Sequence, residues 1–398
     1  QARSSAVRLS AMTSRAALKA AAAPVVFNRP SFEGKELEYI AQAVRSGWIS
    51  GDGSFTKRCQ EFLEVQLGAS RALLTTSCTD ALELGGLLLD LQPGDEVILP
   101  SFTFVSTANA FALRGAKPVF ADIRPDTLNL DETLLEGLVT PRTRAVAVVH
   151  YAGVGCEMDS ILATAARHGL AVVEDNAHGL FGRYRGRLLG SFGDLAAQSF
   201  HETKNFSCGE GGALLVNRPE LVEAAEIARE KGTDRSRFMR GQVDKYTWVG
   251  LGSSFLPSDL LAAVLFAQFE ARDAIQSARA ALWERYRSAL SGWAGRCSVT
   301  LPQVPPHCEQ PFHMFHLLAP DARGRESLLA HLRSRAVHAV FHYVPLHSSP
   351  MGVQLGGRAG QCPVTEDVAG RLLRLPFYTS MTAAEQDRVI EAVLDWTP

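Results

Sequence analysis

Lys204 stands just past an apolar run, in Ser199-Phe200-His201-Glu202-Thr203-Lys204-Asn205, ahead of Gly209-Glu210-Gly211-Gly212. A lysine partly enclosed by a glycine-rich loop can serve as a Schiff-base amine, because burial favours its neutral, nucleophilic form. The same residue alone could be a solvated loop cation. A second segment, Val172-Val173-Glu174-Asp175-Asn176-Ala177-His178, ends an apolar run in an acid pair. A carboxylate at that point can hold a proton on a ring nitrogen, or it can simply cap the next turn. The third, Leu73-Leu74-Thr75-Thr76-Ser77-Cys78-Thr79-Asp80, runs from a strand pattern into a helix pattern. There Ser77 is an N-cap candidate, and free N–H groups with the Ser77 and Thr79 hydroxyls would face an anion. An anion site, then Asp175, then Ser199 and Lys204 together supply the handles that pyridoxal phosphate needs.

The elements that must position these residues follow from hydrophobic period. Ala72–Thr76, Glu96–Leu99, Pro118–Ala121, Ala145–Val149, Ala171–Glu174, Leu195–Phe200 and Ala213–Val216 read as strands. Thr79–Asp90, Val105–Leu113, Met158–His168 and Glu220–Lys231 read as helices between them. Alternation of this kind predicts an α/β domain with a mostly parallel sheet covered on both faces, with ligands at the carboxyl ends of the strands. Gly85-Gly86 inside a helix costs about 1 kcal/mol per glycine unless close packing offsets it. A long helical stretch from Asp259 to about Leu290 follows. Prolines at 302, 305, 306 and 311 then break the chain. Beyond them, Phe312–Leu318 and Val337–Tyr343 read as strands, and Glu326–Arg335 and Thr382–Asp395 as helices. The division predicted is an N-terminal extension over 1–24, a large α/β domain over 25–264 and a small α+β domain over 265–398.

Composition narrows the function classes. The chain has 398 residues, 46% hydrophobic and 21% charged, with 40 basic and 42 acidic side chains and a formal net charge of −2. That balance offers no field for nucleic acid or an anionic membrane. The apolar runs fall short of the roughly 20 residues that span a bilayer. Seven scattered cysteines without a Cys-x-x-Cys favour a reduced, cytoplasmic setting over a disulfide framework or zinc finger. Residues 1–24, with Arg3, Arg8, Arg15 and Lys19 among Ala and Ser, read either as a disordered extension or as an organellar transit peptide. No metal is expected: His338 and His342 on one strand would be about 13 Å apart, too far to share an ion. Gly153-Val154-Gly155 lacks the rest of a dinucleotide fingerprint, and no Gly-x-Ser-x-Gly elbow is present.

The chain resembles the DegT-type sugar aminotransferases, pyridoxal-phosphate enzymes of aspartate-aminotransferase fold (fold type I), from about residue 25 to the C-terminus. The resemblance is carried by Ser46-Gly47-Trp48-Ile49-Ser50-Gly51, Thr76–Leu82, Gly94–Phe104, Gly115–Phe120, Glu174-Asp175, Ser199-Phe200 and Gly209–Gly212. Tyr151–Val154, Phe200–Asn205, Arg240–Trp248 and Phe341–His347 resemble the branch making dTDP-4-amino-4,6-dideoxygalactose for surface glycans. The resemblance implies a seven-stranded sheet, covalent attachment of the cofactor to Lys204, Asp175 on the ring nitrogen and Phe104 stacked on the ring. Ser77, Cys78, Thr79 and Ser199 would hold the phosphate, and His178 would lie near the ring oxygen. Ser253 or Ser254 would reach across a homodimer to the partner's cofactor, although Val249-Gly250-Leu251 before them is less polar than the family pattern. Trp48, His342, Tyr343 and His347 would contact the sugar nucleotide, with L-glutamate as amino donor and a 4-keto-6-deoxy sugar as acceptor. Two other readings are a sugar dehydratase, whose relatives carry His in place of the lysine, and a non-catalytic cofactor-binding regulator.

Overall fold

The computed structural model describes residues 23–32 and 34–398. The reading of residues 1–24 therefore falls, over 1–22, outside the described residues. The strands in chain order are β1 Arg71–Thr75, β2 Glu96–Pro100, β3 Lys117–Ala121, β4 Thr143–Val149, β5 Ala171–Asp175, β6 Arg183–Tyr184, β7 Arg187–Leu188, β8 Leu195–Ser199, β9 Gly212–Val216, β10 Cys308–Glu309, β11 His316–Leu318, β12 Val340–Phe341 and β13 Leu372–Arg374. The helices used below are α1 Glu36–Ser46, α2 Ser54–Leu67, α3 Cys78–Leu88, α4 Val105–Ala112, α5 Met158–His168, α6 Val222–Arg229, α7 Asp259–Glu270 and α8 Arg272–Arg296.

Seven strands form one sheet in the order β1-β9-β8-β5-β4-β2-β3, in which only β9 runs against the others. Period-two alternation divides its side chains between two cores. Leu214 and Val216 of β9 pack with α3 and α6, while Ala213 and Leu215 pack with α2 and α7. Gly86 lets α3 and α4 touch, since a Cβ there would lie 2.9 Å from the Ala110 carbonyl oxygen. Close packing thus offsets the helix cost of that glycine. At Gly85 a Cβ would make only ordinary contact, 3.6 Å from Leu195.

Past the sheet the structure departs from the sequence reading. The stretch from Asp259 is two helices, because Ala271 turns out of helical geometry at φ −84°, ψ 7°. Each half follows its own core. Side chains of α7 join the sheet cluster, and those of α8 from Leu282 onward join the C-terminal cluster around Tyr286, Phe315 and Trp396. The expected strand over 312–318 shortens to β11. Phe312 at φ 54° interrupts the extended run and turns His313 out of the sheet. The run over 337–343 likewise splits. Val337 bridges to Val25 of the N-terminal arm, and only β12 joins the small antiparallel sheet β11-β13-β12. Glu36–Leu67 and β13 were not expected as elements.

Candidate active site

The carboxyl edge of the parallel strands gathers the reactive groups. Ser77 follows β1 and caps α3, its Oγ accepting from the Asp80 N–H at 3.0 Å. The N–H groups of Cys78 and Thr79, next along, have no acceptor among the described residues, as a helix head open to an anion requires. Strand β9 lies flush against this turn. A Cβ on Gly212 would sit 2.3 Å from the Ser77 carbonyl carbon and 2.5 Å from the Cys78 nitrogen. The Thr79 hydroxyl is 2.7 Å from that of Ser106.

Asp175 closes β5 on one face of the strand and Glu174 points to the other, so neighbours in sequence have separate duties. Glu174 is fully buried. It accepts from the N–H groups of Gly190 (2.7 Å), Phe192 (2.6 Å) and Gly193 (2.7 Å) and pairs with His150 Nε2 at 2.8 Å. The Cys156 N–H donates to His150 Nδ1, so Nε2 is the donor toward Glu174. That carboxylate anchors a loop. Asp175 accepts from the Thr107 hydroxyl at 2.7 Å and from the Ala177 N–H at 3.2 Å. Burial raises its pKa, and these bonds with the Lys204 charge only partly oppose the rise.

Lys204 lies in the turn after β8. Burial pushes its amine down to about 8, against the opposing pull of Cys78 and Asp175 and with a further push from Arg374. Beside it a set of aromatic nitrogens stays neutral. His178 stacks on His313 with ring centroids 4.3 Å apart, and burial holds both well below the usual histidine range. Asn205 donates to the Pro311 carbonyl at 2.7 Å and so turns its oxygen to His313 Nδ1, 2.9 Å away. Tyr151 reaches His342 Nδ1 at 3.1 Å. An enclosed amine, a carboxylate held for a ring nitrogen, neutral rings and a helix head free for phosphate form a donor set that fits pyridoxal phosphate.

The other sequence-derived candidates divide. Phe104 precedes α4 and is 57% exposed, its ring 6.4 Å from that of Tyr343. Ser199 ends β8 beside this edge. Ser253 and Ser254 are exposed, tied by backbone to Ala228–Lys231, and Phe255 accepts from the Thr76 N–H. Trp48 lines a separate cavity of about 590 Å³ with Asp52, Lys57, Arg71 and Arg229; neither Lys204 nor Asp175 lines it. His347 requires a correction. It is wholly buried, with Nδ1 2.6 Å from Ser101 Oγ and Nε2 2.8 Å from Glu366, so both ring nitrogens are committed to protein and none is left for a substrate. His201 bonds Thr203 and faces Glu210 at the surface rather than Asp175. Among the described residues no three His, Cys, Asp or Glu side chains could hold a metal ion, all seven cysteines are free, and no helix is long and apolar enough to cross a membrane.

Thr107, Asn205, His313 and Arg374 were not anticipated as site residues. Only Arg374 left a signal in the sequence, as a charge inside the apolar run Leu372-Leu373-Arg374-Leu375.

Comparison with known proteins agrees with this geometry. A model of the DegT/DnrJ/EryC1/StrS aminotransferase family matches residues 30–394. The spore coat polysaccharide biosynthesis protein SpsC of Bacillus subtilis (strain 168) is 34% identical over 377 residues, covering 93% of this chain and 96% of its own. GDP-perosamine synthase of Caulobacter vibrioides is 33% identical over 368 residues, covering 92% and 96%. Among solved structures, DesV of S. venezuelae in complex with a ketimine intermediate is 32% identical and superposes with a TM-score of 0.82, covering 93% of this chain and 98% of its own.

Proposed function

Because the chain belongs to the DegT/DnrJ/EryC1/StrS aminotransferase family, we propose that it moves an amino group from L-glutamate to the keto carbon of a 4-keto-6-deoxy sugar nucleotide, with pyridoxal phosphate held at Lys204. The observation that carries this reading is the convergence of the Lys204 amine, the Asp175 carboxylate and the open head of α3 on one sheet edge. The cofactor, when bound, supplies an electron-withdrawing ring that accepts the charge left as the donor carbon loses its proton.

The chain's own residues have distinct tasks. The Cys78 and Thr79 N–H groups, with the hydroxyls of Ser77, Thr79 and Ser199, bind the phosphate. Asp175, oriented by Thr107, keeps a proton on the ring nitrogen. Phe104 covers one ring face, and His178, neutral at ordinary pH, stands near the ring oxygen. With its pKa near 8, Lys204 Nζ takes the proton from the donor's α-carbon and returns one to the product carbon, as a positioned general base and acid. His342 and Tyr343 meet the sugar nucleotide, and Ser253 or Ser254 completes the phosphate site of a second copy in a homodimer.

The test is an absorbance titration of purified, cofactor-loaded protein. L-glutamate should remove the visible band, and dTDP-4-keto-6-deoxy-D-glucose should then restore it. Lys204→Ala should lose both the band and turnover. The GDP-linked ketosugar is offered in parallel, since the similar Caulobacter protein is named for a GDP sugar. A visible band indifferent to every amino donor would sink the proposal.

A further inference from the structure

Beside the reacting groups runs a row of three side chains that bond to one another. Ser101 Oγ lies 2.6 Å from His347 Nδ1, and His347 Nε2 lies 2.8 Å from Glu366 Oε1. Ser101 follows β2 and Glu366 belongs to α9 (Pro363–Arg371), so the row joins the sheet edge to a helix near the C-terminus. Ser101 and His347 are wholly buried, and the Glu366 side chain is 36% exposed. A bare Nε2 against a carboxylate would set two acceptors face to face, so Nε2 carries hydrogen and donates to Glu366. The His347 N–H donates to Ser101 Oγ at 3.1 Å, which leaves the Ser101 hydroxyl hydrogen for Nδ1. The bond from His347, and after it one from the Gly360 N–H, hold the Glu366 carboxyl below the usual carboxylate range. Serine, histidine and acid are also the residue types of a hydrolytic triad. Here the hydroxyl is shut away from solvent and committed to protein, so it does not serve as a nucleophile.

What the row holds is the segment that bears His342 and Tyr343. Strand β12 before it is two residues long, and from His342 to Pro345 the chain is neither helix nor strand. At the far end the Leu346 N–H donates to the Ser101 carbonyl at 3.0 Å, and the Leu346 side chain enters the core of α3 and α4. Ser101 thus grips the segment through its carbonyl and its hydroxyl, and Glu366 closes on the ring from the other side. Ser101 leads directly into Phe102-Thr103-Phe104. The Tyr343 ring lies 5.5 Å from that of Phe102 and 6.4 Å from that of Phe104. One anchor therefore serves both the turn that carries Phe104 and the segment that carries His342 and Tyr343. A buried chain of hydrogen bonds satisfied at each member fixes one arrangement, where an apolar contact would let the two segments slide.

Resting on the reading of His342 and Tyr343 as sugar-nucleotide contacts, we propose that Ser101, His347 and Glu366 are positioning residues for the ketosugar half of the reaction. They set the spacing between the Phe102–Phe104 turn and the Phe341–His347 segment. The amino-donor half does not depend on them. Lys204 follows β8 and Asp175 ends β5, and among the described residues no member of the row bonds to either.

The two halves are measured separately by single-turnover absorbance on cofactor-loaded protein, first with L-glutamate and then with dTDP-4-keto-6-deoxy-D-glucose. Ser101→Ala and Glu366→Ala cut the row at opposite ends. Each should lower kcat/KM of the ketosugar half about tenfold to hundredfold, as a small misplacement of contact groups does. The L-glutamate half and the cofactor content should stay within about twofold of wild type. Glu366→Gln, which keeps an acceptor for Nε2–H, should recover most of the loss. Combined with His342→Ala, Glu366→Ala should cost clearly less than the product of the separate effects, because it acts through that segment. Glu136→Ala is the control, since Glu136 pairs with His168 at the surface. Unchanged ketosugar kinetics in both cut variants, an equal fall in both halves, or full additivity with His342→Ala would overturn the proposal. A His342→Ala protein with normal ketosugar kinetics would overturn the sugar-contact reading, and this proposal with it. Wild-type protein that ignores every amino donor would overturn the aminotransferase reading itself.

Discussion

Two acids adjacent in sequence show what decides a residue's work here. Glu174 and Asp175 share a strand end, yet one anchors residues 190–193 and the other faces Lys204. The difference is strand parity, which is legible from sequence; that Glu174 finds three N–H donors is not. Lys204 brings a pH dependence. Capture of free pyridoxal phosphate by stripped protein needs the neutral amine, which exists above its pKa of about 8. The capture rate should therefore climb about tenfold per pH unit below 8 and level off above it, in stopped-flow absorbance. A midpoint near the ordinary lysine value would mean that the amine is solvated. The same shift links to stability. Between about 8 and the unperturbed value the unfolded chain holds a proton that the folded chain has released, so stability rises with pH across that window.

At the scale of elements, the phosphate site depends on one strand lying against one helix head. Gly212 is the contact, and the atoms a Cβ would strike are backbone, which cannot rotate away. Gly212→Ala should therefore push β9 off the Ser77–Cys78 turn and weaken cofactor binding at least tenfold, read by equilibrium dialysis, with far-UV dichroism retained. Gly137→Ala is the control, since nothing lies within 4 Å of its would-be Cβ. Equal affinity in the two variants would show that the turn is not the phosphate site. The seven strands of the main sheet were readable from their apolar runs to within a residue or two. Of the shorter strands, β11 and β12 lie inside longer runs that read as strands, and β13 was not readable, because two or three residues carry too little period to stand above background.

At the scale of the molecule, one apolar stretch stands exposed. Met239, Tyr246, Trp248 (74% exposed), Val249 and Leu251 all project outward just before Ser253 and Ser254. Such a patch suits an interface between copies. We propose that it seats the partner of the homodimer, bringing those serines to the second site. Trp248→Asp with Leu251→Asp should give a monomer in sedimentation velocity and lose most turnover; a fully active monomer would refute the shared site. The joint of α7 and α8 at Ala271 lies near the expected seam of the two domains, and Val25 ties the N-terminal arm to the C-terminal core. We propose that the domain division lies there.

What the sequence determined by itself is local: the strands of the main sheet, the residue types at their carboxyl ends, and hence the cofactor those residues suit. Hydrophobic period and end position are properties of a few neighbouring residues, so they survive without any knowledge of the fold. Only the tertiary structure decided which distant groups converge. It put Thr107 on Asp175, stacked His178 on His313 and sealed His347 between Ser101 and Glu366. Those meetings join residues tens to hundreds of positions apart. They are set by strand order and by the docking of one core on another, and no local pattern encodes either.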